Sequence, residues 1–227
     1  MGIIMSRSAN KKALEARRPG RPEGQTNLSE GILDAAEVLF AERGYAGTTL
    51  RQVAEQLDVN PAMVAYYFKN KDNLFREVVT RRGYAISAER MERLATLKAR
   101  GGYDVRDLVA AFIEPAAALW SDAQGRAFLR LHARLHMEPA ELSFELRRMV
   151  HNESTHAYAN AFAELLPDAP LRKVYQRVTL LVGAYLYAFS GTSRLGELLV
   201  EGEETPMYDL LETTISFGTA GMYGPRP

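Results

Sequence analysis

The 227-residue chain contains no cysteine, which excludes several kinds of site at once. Without a thiol, the protein cannot form a disulfide, a thiolate metal site or a cysteine nucleophile. The sequence also lacks an apolar run long enough to span a bilayer, and charged residues follow Ile3 and Ile4 where a signal peptide has a long apolar segment. We therefore expect a cytoplasmic protein that has no membrane partner.

The chain also has no net charge, because 28 lysines and arginines balance 28 aspartates and glutamates. The charges are unevenly distributed, however. Residues 1–25 hold six basic and two acidic side chains, whereas residues 83–227 hold 15 basic and 18 acidic ones. A basic N-terminal end is typical of a protein whose anionic partner contacts only that end, although solubility alone could produce the same pattern.

Strand patterns are also missing, and from about residue 27 onward apolar residues recur at the spacing of an amphipathic helix. Residues 1–26 show no such period, and we expect them to form a flexible basic arm. Short helices follow within residues 27–75 and suggest a helix-turn-helix. The fold class that we predict is all-α, with a three-helix head over residues 27–75 and a larger helical body over residues 76–227.

Local signals set the expected helix boundaries in the head. Asn27, with Glu30 three residues later, has the pattern of a capping box, and Gly44 is placed to end that first helix. Thr49, with Gln52 three residues later, predicts the start of a second helix. A third short helix must follow closely, since apolar spacing resumes after only a few residues.

The third helix has the features of a helix that reads DNA. Asn60 is placed to cap it and Pro61 to occupy its first position, where the missing N–H costs nothing. In a helix-turn-helix the second helix lies in the major groove with its first residues at base edges. Asn60, Ala62 and Met63 would then face the bases, and Ala62 or Met63 could contact a thymine methyl group.

Polar side chains around this helix are candidates for contacts with the DNA backbone. The hydroxyls of Tyr66 and Tyr67 could donate to phosphate oxygens, and Lys71 adds a positive charge beside a helix start. Thr48 and Thr49 could do the same on the other side of the groove. Either tyrosine could instead cover the core of the head.

The basic arm is a further candidate DNA contact. Arg17, Arg18 and Arg21 lie in a short segment that also contains prolines and a glycine. Arginines in such segments can enter a narrow minor groove. A solvated tail would have the same composition, so both interpretations stay open.

Several residues of the head together carry a family resemblance: Gly44-Tyr45, Thr48-Thr49, Val53-Ala54, Val59, Tyr66-Tyr67-Phe68 and Lys71. This pattern resembles the N-terminal domain of TetR-family transcriptional repressors. The chain departs from the pattern at Asp58, where glycine is usual, but aspartate tolerates the left-handed conformation of such a turn. The resemblance implies a homodimer that binds double-stranded DNA, a C-terminal ligand domain, and release of the DNA when a small molecule binds.

The body is predicted to be helical over residues 104–121, 123–136, 139–165, 170–195 and 206–221. Its aromatic side chains could enclose an apolar ligand, although core packing is the commoner role of any one of them. We take as candidate ligand contacts Phe112, Trp120, Phe128 and His132. The ligand itself is an unidentified small-molecule effector.

Catalytic and metal-site patterns are missing from the body. His132 and His136 share a helix face, as two metal ligands would, but no glutamate stands between them in the zincin arrangement. No paired carboxylates or Ser/His/Asp set has a sequence signature. We therefore expect no enzyme, no metal and no cofactor, with a DNA-tethered helical enzyme or carrier as the alternative.

The last two predicted helices have apolar faces with small residues that would allow close helix approach. These small residues are Gly183, Ala184, Gly218 and Ala220. Packing within one chain would use the same pattern, and the family resemblance favours a dimer interface there.

Overall fold

The computed structural model of the chain describes residues 23–191, 198 and 206–224. All regular secondary structure in these residues is helical, which confirms the predicted fold class. Besides a short 3₁₀ helix at Ala118–Ser121, the helices are α1 (Glu23–Gly47), α2 (Leu50–Gln56), α3 (Pro61–Phe68), α4 (Lys71–Arg100), α5 (Val105–Ala117), α6 (Ala123–Leu135), α7 (Ala140–Leu165), α8 (Leu171–Phe189) and α9 (Met207–Tyr223). Within these described segments, none of the helices is long and apolar enough to cross a membrane.

Helix α1 begins earlier than the sequence predicts. It starts at Glu23, so that Asn27 lies inside the helix and does not cap it. The carboxylate of Glu30 accepts a hydrogen bond from Arg81 of α4 at 3.0 Å, instead of completing a capping box with Asn27. Glu30 therefore serves a tertiary contact with α4 and not a local cap. The rest of the predicted arm, residues 1–22, lies outside the described residues.

Gly44 ends the regular part of α1, as predicted. Its backbone has φ 72° and ψ 178°, a combination that a residue with a side chain rarely adopts. A Cβ atom there would also lie 2.6 Å from the guanidinium Nε of Arg134 and 2.8 Å from a carboxylate oxygen of Glu138. The same oxygen of Glu138 accepts a hydrogen bond from the backbone N–H of Tyr45 at 3.0 Å. The end of α1 is thus fastened to the end of α6.

Two hydrophobic cores organise the molecule, and helices α4 and α6 contribute to both of them. The head core contains Leu74 and Phe75 of α4 together with Leu131 of α6. The body core contains Leu94 of α4 together with Phe128 of α6. The expected boundary at residue 75 lies inside α4, which continues without a break to Arg100. Head and body are therefore joined through shared helices.

A buried carboxylate strengthens the contact between α1 and α4. Glu37 is fully buried, and its oxygens accept hydrogen bonds from Arg82 at 3.0 Å and Arg81 at 3.3 Å. Burial raises the pKa of Glu37, while the two arginines act in the opposite direction. Arg81 also pairs with Asp34 at 2.8 Å. This network joins the head to the middle of α4.

The predicted helices of the body are observed, with one difference at the end of α8. The helix ends at Phe189, whereas the sequence predicted helix as far as residue 195. Gly191 adopts φ 71°, the left-handed region that breaks a helix. The break between α4 and α5 was predicted, and there Gly101 and Gly102 both have positive φ.

The position of Gly218 corrects the predicted dimer interface. Gly218 is buried, and a Cβ atom there would lie 2.4 Å from Leu181 Cδ1 and 3.1 Å from Val109 Cγ1. The small residue lets α9 approach α8 and α5 of its own chain. Gly183 differs, because nothing lies within 4 Å of a Cβ atom built there. Only part of the predicted small-residue face is therefore available to a second subunit.

We expect Gly218→Arg to lower the free energy of unfolding by about 3 kcal/mol or more, because it overpacks the body core and buries a charge. Urea denaturation would measure the loss. Asn160→Arg, which places the same side chain at an exposed position of α7, is the control and should have little effect. A Gly218→Arg protein as stable as this control would show that α9 can move away from α8.

Candidate nucleic-acid interface and ligand cavity

Local signals set the start of α2 and the turn that follows this helix, as predicted. Thr49 caps α2, since its hydroxyl accepts from the Gln52 N–H at 3.2 Å and its own N–H donates to the Gln52 side chain at 2.9 Å. Asp58 has φ 52°, the left-handed conformation predicted for the turn. The Thr49 bonds fix where α2 begins, and Asp58 lies in the turn that leads from α2 to α3.

Helix α3 is short and is held by one cap and two buried side chains. The Asn60 side chain accepts a hydrogen bond from the Ala62 N–H at 2.9 Å, and Pro61 occupies the first position. Val64 and Phe68 are buried in the head core. An isolated helix of eight residues would be unstable in water, so this packing maintains it.

The opposite face of α3 is exposed to solvent. Asn60, Ala62 and Met63 lie at its start, and Tyr66 one turn further on is 73% exposed. Tyr67 is half-buried, and its ring packs edge-on against that of Tyr66 with centroids 5.4 Å apart. The residues predicted to contact base edges are thus brought together on one open face. Tyr67 also covers the head core, as the alternative interpretation expected.

Lys71 is held within the fold, although it stays partly exposed. Its ammonium donates to the carbonyl oxygen of Tyr45 at 3.0 Å and lies 4.2 Å from the centroid of the Tyr45 ring. The Tyr45 hydroxyl donates in turn to Asp72. A lysine ammonium has three N–H groups, so the contact with Tyr45 leaves two of them for a phosphate.

Thr48 does not have the predicted role. Its side chain is fully buried, and its hydroxyl lies within hydrogen-bond distance of the carbonyl oxygens of Leu39 at 3.1 Å and Gly44 at 3.0 Å. A buried hydroxyl that is used in this way cannot reach a phosphate, so Thr48 stabilises the end of α1. Thr49, the next residue, is exposed at the start of α2.

The sequence analysis missed one cation beside α3. Lys69 directly follows this helix, is exposed, and has φ 64°. Its position directly after Tyr66-Tyr67-Phe68 is the sequence signal that indicates this cation. Arg17, Arg18 and Arg21 of the arm lie outside the described residues.

One family model matches the head and another matches most of the body. Residues 32–78 match the model described as bacterial regulatory proteins of the TetR family, and residues 110–221 match a tetracycline repressor-like C-terminal domain. The chain belongs to the TetR family of transcriptional regulators. Members of this family regulate transcription and are not enzymes, so the protein is a DNA-binding regulator with a helix-turn-helix.

Curated relatives of this TetR-family chain are regulators too. BetI of Paraburkholderia phymatum is 27% identical over 150 residues, which are 61% of this chain and 67% of BetI. The negative transcriptional regulator IcaR of the biofilm operon of Staphylococcus epidermidis is 35% identical over 52 residues, which are 23% of this chain and 28% of IcaR. For several of these relatives, the match spans less than a third of their length.

Solved structures share the fold of this TetR-family chain. One of them is the transcriptional regulator FadR of Bacillus subtilis in complex with stearoyl-CoA. It superposes with a TM-score of 0.57 at 16% identity, over 85% of this chain and 98% of FadR. At that identity the likeness shows the fold alone.

The body of this regulator contains a cavity of about 240 Å³ between α4, α6, α7 and α8. Of the predicted ligand contacts, only His132 lines it, and His136, the other histidine of that helix face, lines it as well. Phe112 and Phe128 are fully buried in the body core, and Trp120 packs against that core from the 3₁₀ helix. The remaining lining residues are Arg90, Arg147, His151, Asn152, Thr155, Val178, Thr179, Val182 and Tyr185.

Arg90 is a lining residue that the sequence analysis missed although the sequence indicates it. It is 1% exposed, its Nε donates to the carbonyl oxygen of Phe112 at 2.7 Å, and its guanidinium carbon lies 3.8 Å from the centroid of the Phe112 ring. The signal was its spacing, because Ile86, Arg90 and Leu94 follow each other at four-residue intervals on one face of α4. A charge on an apolar stripe indicates a buried polar site.

Three histidines line the cavity, and they stay neutral near pH 7. The His132 and His151 rings stack with centroids 4.7 Å apart. Burial, together with the charge of Arg90, lowers the pKa of His151 to about 3 and the pKa of His132 well below its ordinary value. Arg147 lies 3.1 Å from His136 Nδ1, and burial lowers the pKa of His136 as well. In the described part of the chain, no three His, Asp or Glu side chains are grouped as metal ligands.

From the lowered pKa values of these histidines we predict that acid destabilises the protein. The folded pKa of His132 and His151 lies below the ordinary 6.5, so the unfolded chain binds more protons as the pH falls through and below 6.5. The neutral His151 should therefore contribute about 2 kcal/mol of stability at pH 7 that is lost by pH 5, and His132 should act in the same direction. Urea denaturation across that range would show it.

A matched pair of variants tests the assignment to these groups. His151→Asn should flatten the pH dependence, whereas His156→Asn, at an exposed position of α7, should leave it unchanged. A stability that stays constant or rises between pH 6.5 and 5 would mean that the cavity histidines bind protons at least as readily in the folded protein as in the unfolded chain.

Proposed function

We propose that this TetR-family regulator is a homodimeric repressor, which binds an inverted-repeat operator and releases it when a small molecule enters the body. The observation that carries the proposal is the open face of α3, where Asn60, Ala62, Met63 and Tyr66 are presented together. In a helix-turn-helix such a face enters the major groove, with its first residues at the base edges. Phosphate contacts would then come from side chains on and around this face of α3, namely Thr49, Tyr66, Tyr67, Lys69 and Lys71.

A dimer is needed because one head contacts too few groups for tight and specific binding. Two heads about 34–36 Å apart would meet successive major-groove faces of an inverted repeat. An exposed apolar surface supports the pairing of bodies through α8 and α9. Leu180 of α8 is 73% exposed and Phe217 of α9 is 68% exposed, and Tyr187 and Tyr208 are also exposed. Beside them, Gly183 leaves room for a close approach.

Release by a small molecule is supported by the cavity beside α4 and α6, the helices that also build the head core. The structure of FadR of similar fold contains stearoyl-CoA, a small-molecule ligand within a TetR-type fold. The cavity of about 240 Å³ lies below the roughly 300–1,000 Å³ of common ligand pockets, so we expect a smaller effector here.

The operator can be found by incubating the purified full chain with fragmented genomic DNA from its source and sequencing the retained fragments. We expect a shared inverted repeat whose half-site centres lie one helical turn, or a multiple of it, apart. Retention of fragments without any common sequence would leave only non-specific DNA binding and would contradict the proposed function.

Tyr66→Phe tests the phosphate contact on that operator, since it removes only a hydroxyl from an exposed side chain. We expect about tenfold weaker binding, the effect of one hydrogen bond to a charged group. The dependence of affinity on salt should not change, because no charge is lost. Tyr84→Phe, which removes the same group from an exposed position of α4, is the control. Equal affinities of the two variants would exclude the contact.

Phe217→Glu combined with Leu180→Glu tests the proposed dimer surface. We expect sedimentation to show a folded monomer, and operator affinity to fall by about a hundredfold or more as the second head is lost. Phe144→Glu provides the control, since Phe144 is a similarly exposed aromatic residue on α7. If the double variant remains a dimer with full affinity, the subunits pair through another surface.

A further inference from the structure

The cavity in the body contains two buried polar atoms that the protein leaves without partners. Arg90 Nη2 and His132 Nδ1 are both inaccessible to solvent and donate no hydrogen bond to any described residue. Both side chains line the cavity. A buried donor without a partner costs about 1–3 kcal/mol, and more when it is charged, so such groups are kept for a reason.

The cavity also carries uncompensated positive charge. Arg90 and Arg147 line it, and no aspartate or glutamate is among its lining residues. Arg90 forms no ion pair with an acidic residue in the described segments, whereas Arg81, Arg82 and Arg93 on the same helix all do. Its contacts with the protein are the Phe112 carbonyl oxygen and the rings of Phe112 and Tyr185. A buried cation with no counter-charge is costly, and an anion in the cavity would remove that cost.

Apolar side chains line the cavity too. They are Val178 and Val182 of α8, and the ring of Tyr185, which lies beside Arg90, adds further apolar surface. A guanidinium presents parallel N–H groups that match the two oxygens of a carboxylate, and a neutral imidazole can donate one more hydrogen bond. Positive charge and apolar side chains in the lining of one cavity suit an organic acid with a short hydrocarbon or aromatic part.

We propose that this cavity binds a small organic carboxylate, whose anionic group is held by Arg90, His132 and Arg147. The proposal deepens the proposed function, and rests on it, in naming the chemical class of the effector. The small volume excludes a long acyl-CoA, so the ligand differs from that in the FadR structure. The acid enters with its carboxylate toward α4 and its apolar part against α8.

Thermal unfolding of the full chain tests the proposal with a panel of acetate, butyrate, benzoate and phenylacetate at constant ionic strength. Each acid is paired with its neutral amide, which has nearly the same shape. We expect at least one acid to raise Tm by about 5 °C at saturation, while its amide does not. Phenyl phosphate is tested as well. If it binds more tightly than benzoate, the choice of a carboxylate is overturned.

Variants on the lining residues separate the site from general salt effects. Arg90→Met should abolish the shift, and Arg147→Gln should weaken binding about tenfold in calorimetry. Arg148→Gln removes the same charge from an exposed position one residue further along α7 and should bind like wild type. Arg147→Gln keeps the test decisive even if Arg90→Met does not fold. A panel in which no acid gives a shift that depends on these residues would overturn the proposal.

Operator binding measured on the same samples distinguishes the two proposals. If the protein binds its operator but no acid binds the cavity, the carboxylate site is wrong and the repressor stands. An acid that binds in an Arg147-dependent way without changing operator affinity supports the site, and it contradicts release by the ligand.

Discussion

Helices α4 and α6, like α7, are built into both hydrophobic cores, and this constraint governs how the head can move. Helix α4 contributes Phe75 to the head core and Leu94 to the body core. Helix α6 contributes Leu131 to the first and Phe128 to the second. Protein interiors are close-packed, so a shift of either helix must be accommodated in both cores. The head therefore cannot change its position independently of the body.

The buried charges on α4 have two different roles. Arg81 and Arg82 meet the buried carboxylate of Glu37, and an ion pair of this kind adds little net stability but is costly to break. It consequently fixes the position of α1 on α4. Arg90, further along the same helix, has no such partner within the described residues. The charges of Arg81, Arg82 and Glu37 thus fix helix positions, whereas under our proposal the charge of Arg90 binds a ligand.

Local features of the fold could be predicted because neighbouring residues alone decide them. The caps at Thr49 and Asn60 and the left-handed Asp58 depend on a few adjacent residues, and all three are observed. Thr48 and Gly218 were misassigned because sequence spacing does not say which helix will cover a face. Thr48 differs from Thr49 only in pointing toward α1.

The prediction of the ligand contacts was mostly wrong for a related reason. Aromatic residues such as Phe112 suit a pocket and a core equally well, and here the core takes them. The polar exception was the better guide, since Arg90 interrupts an apolar stripe and leads directly to the cavity. In a helical bundle the residue that breaks the pattern says more about a site than those that follow it.

The place of Arg90 along α4 explains how a small cavity could control DNA binding under the proposed function. The 19 residues back to Lys71 correspond to about 28 Å of helix, at about 1.5 Å per residue. A tilt of about 5° at the cavity would then displace the start of α4, and α3 beside it, by about 2–3 Å. The two heads of a dimer would move in symmetric fashion, which doubles the change in their separation. Since tight binding requires both heads at once, a displacement of this size on a spacing of about 34–36 Å is enough to release the operator.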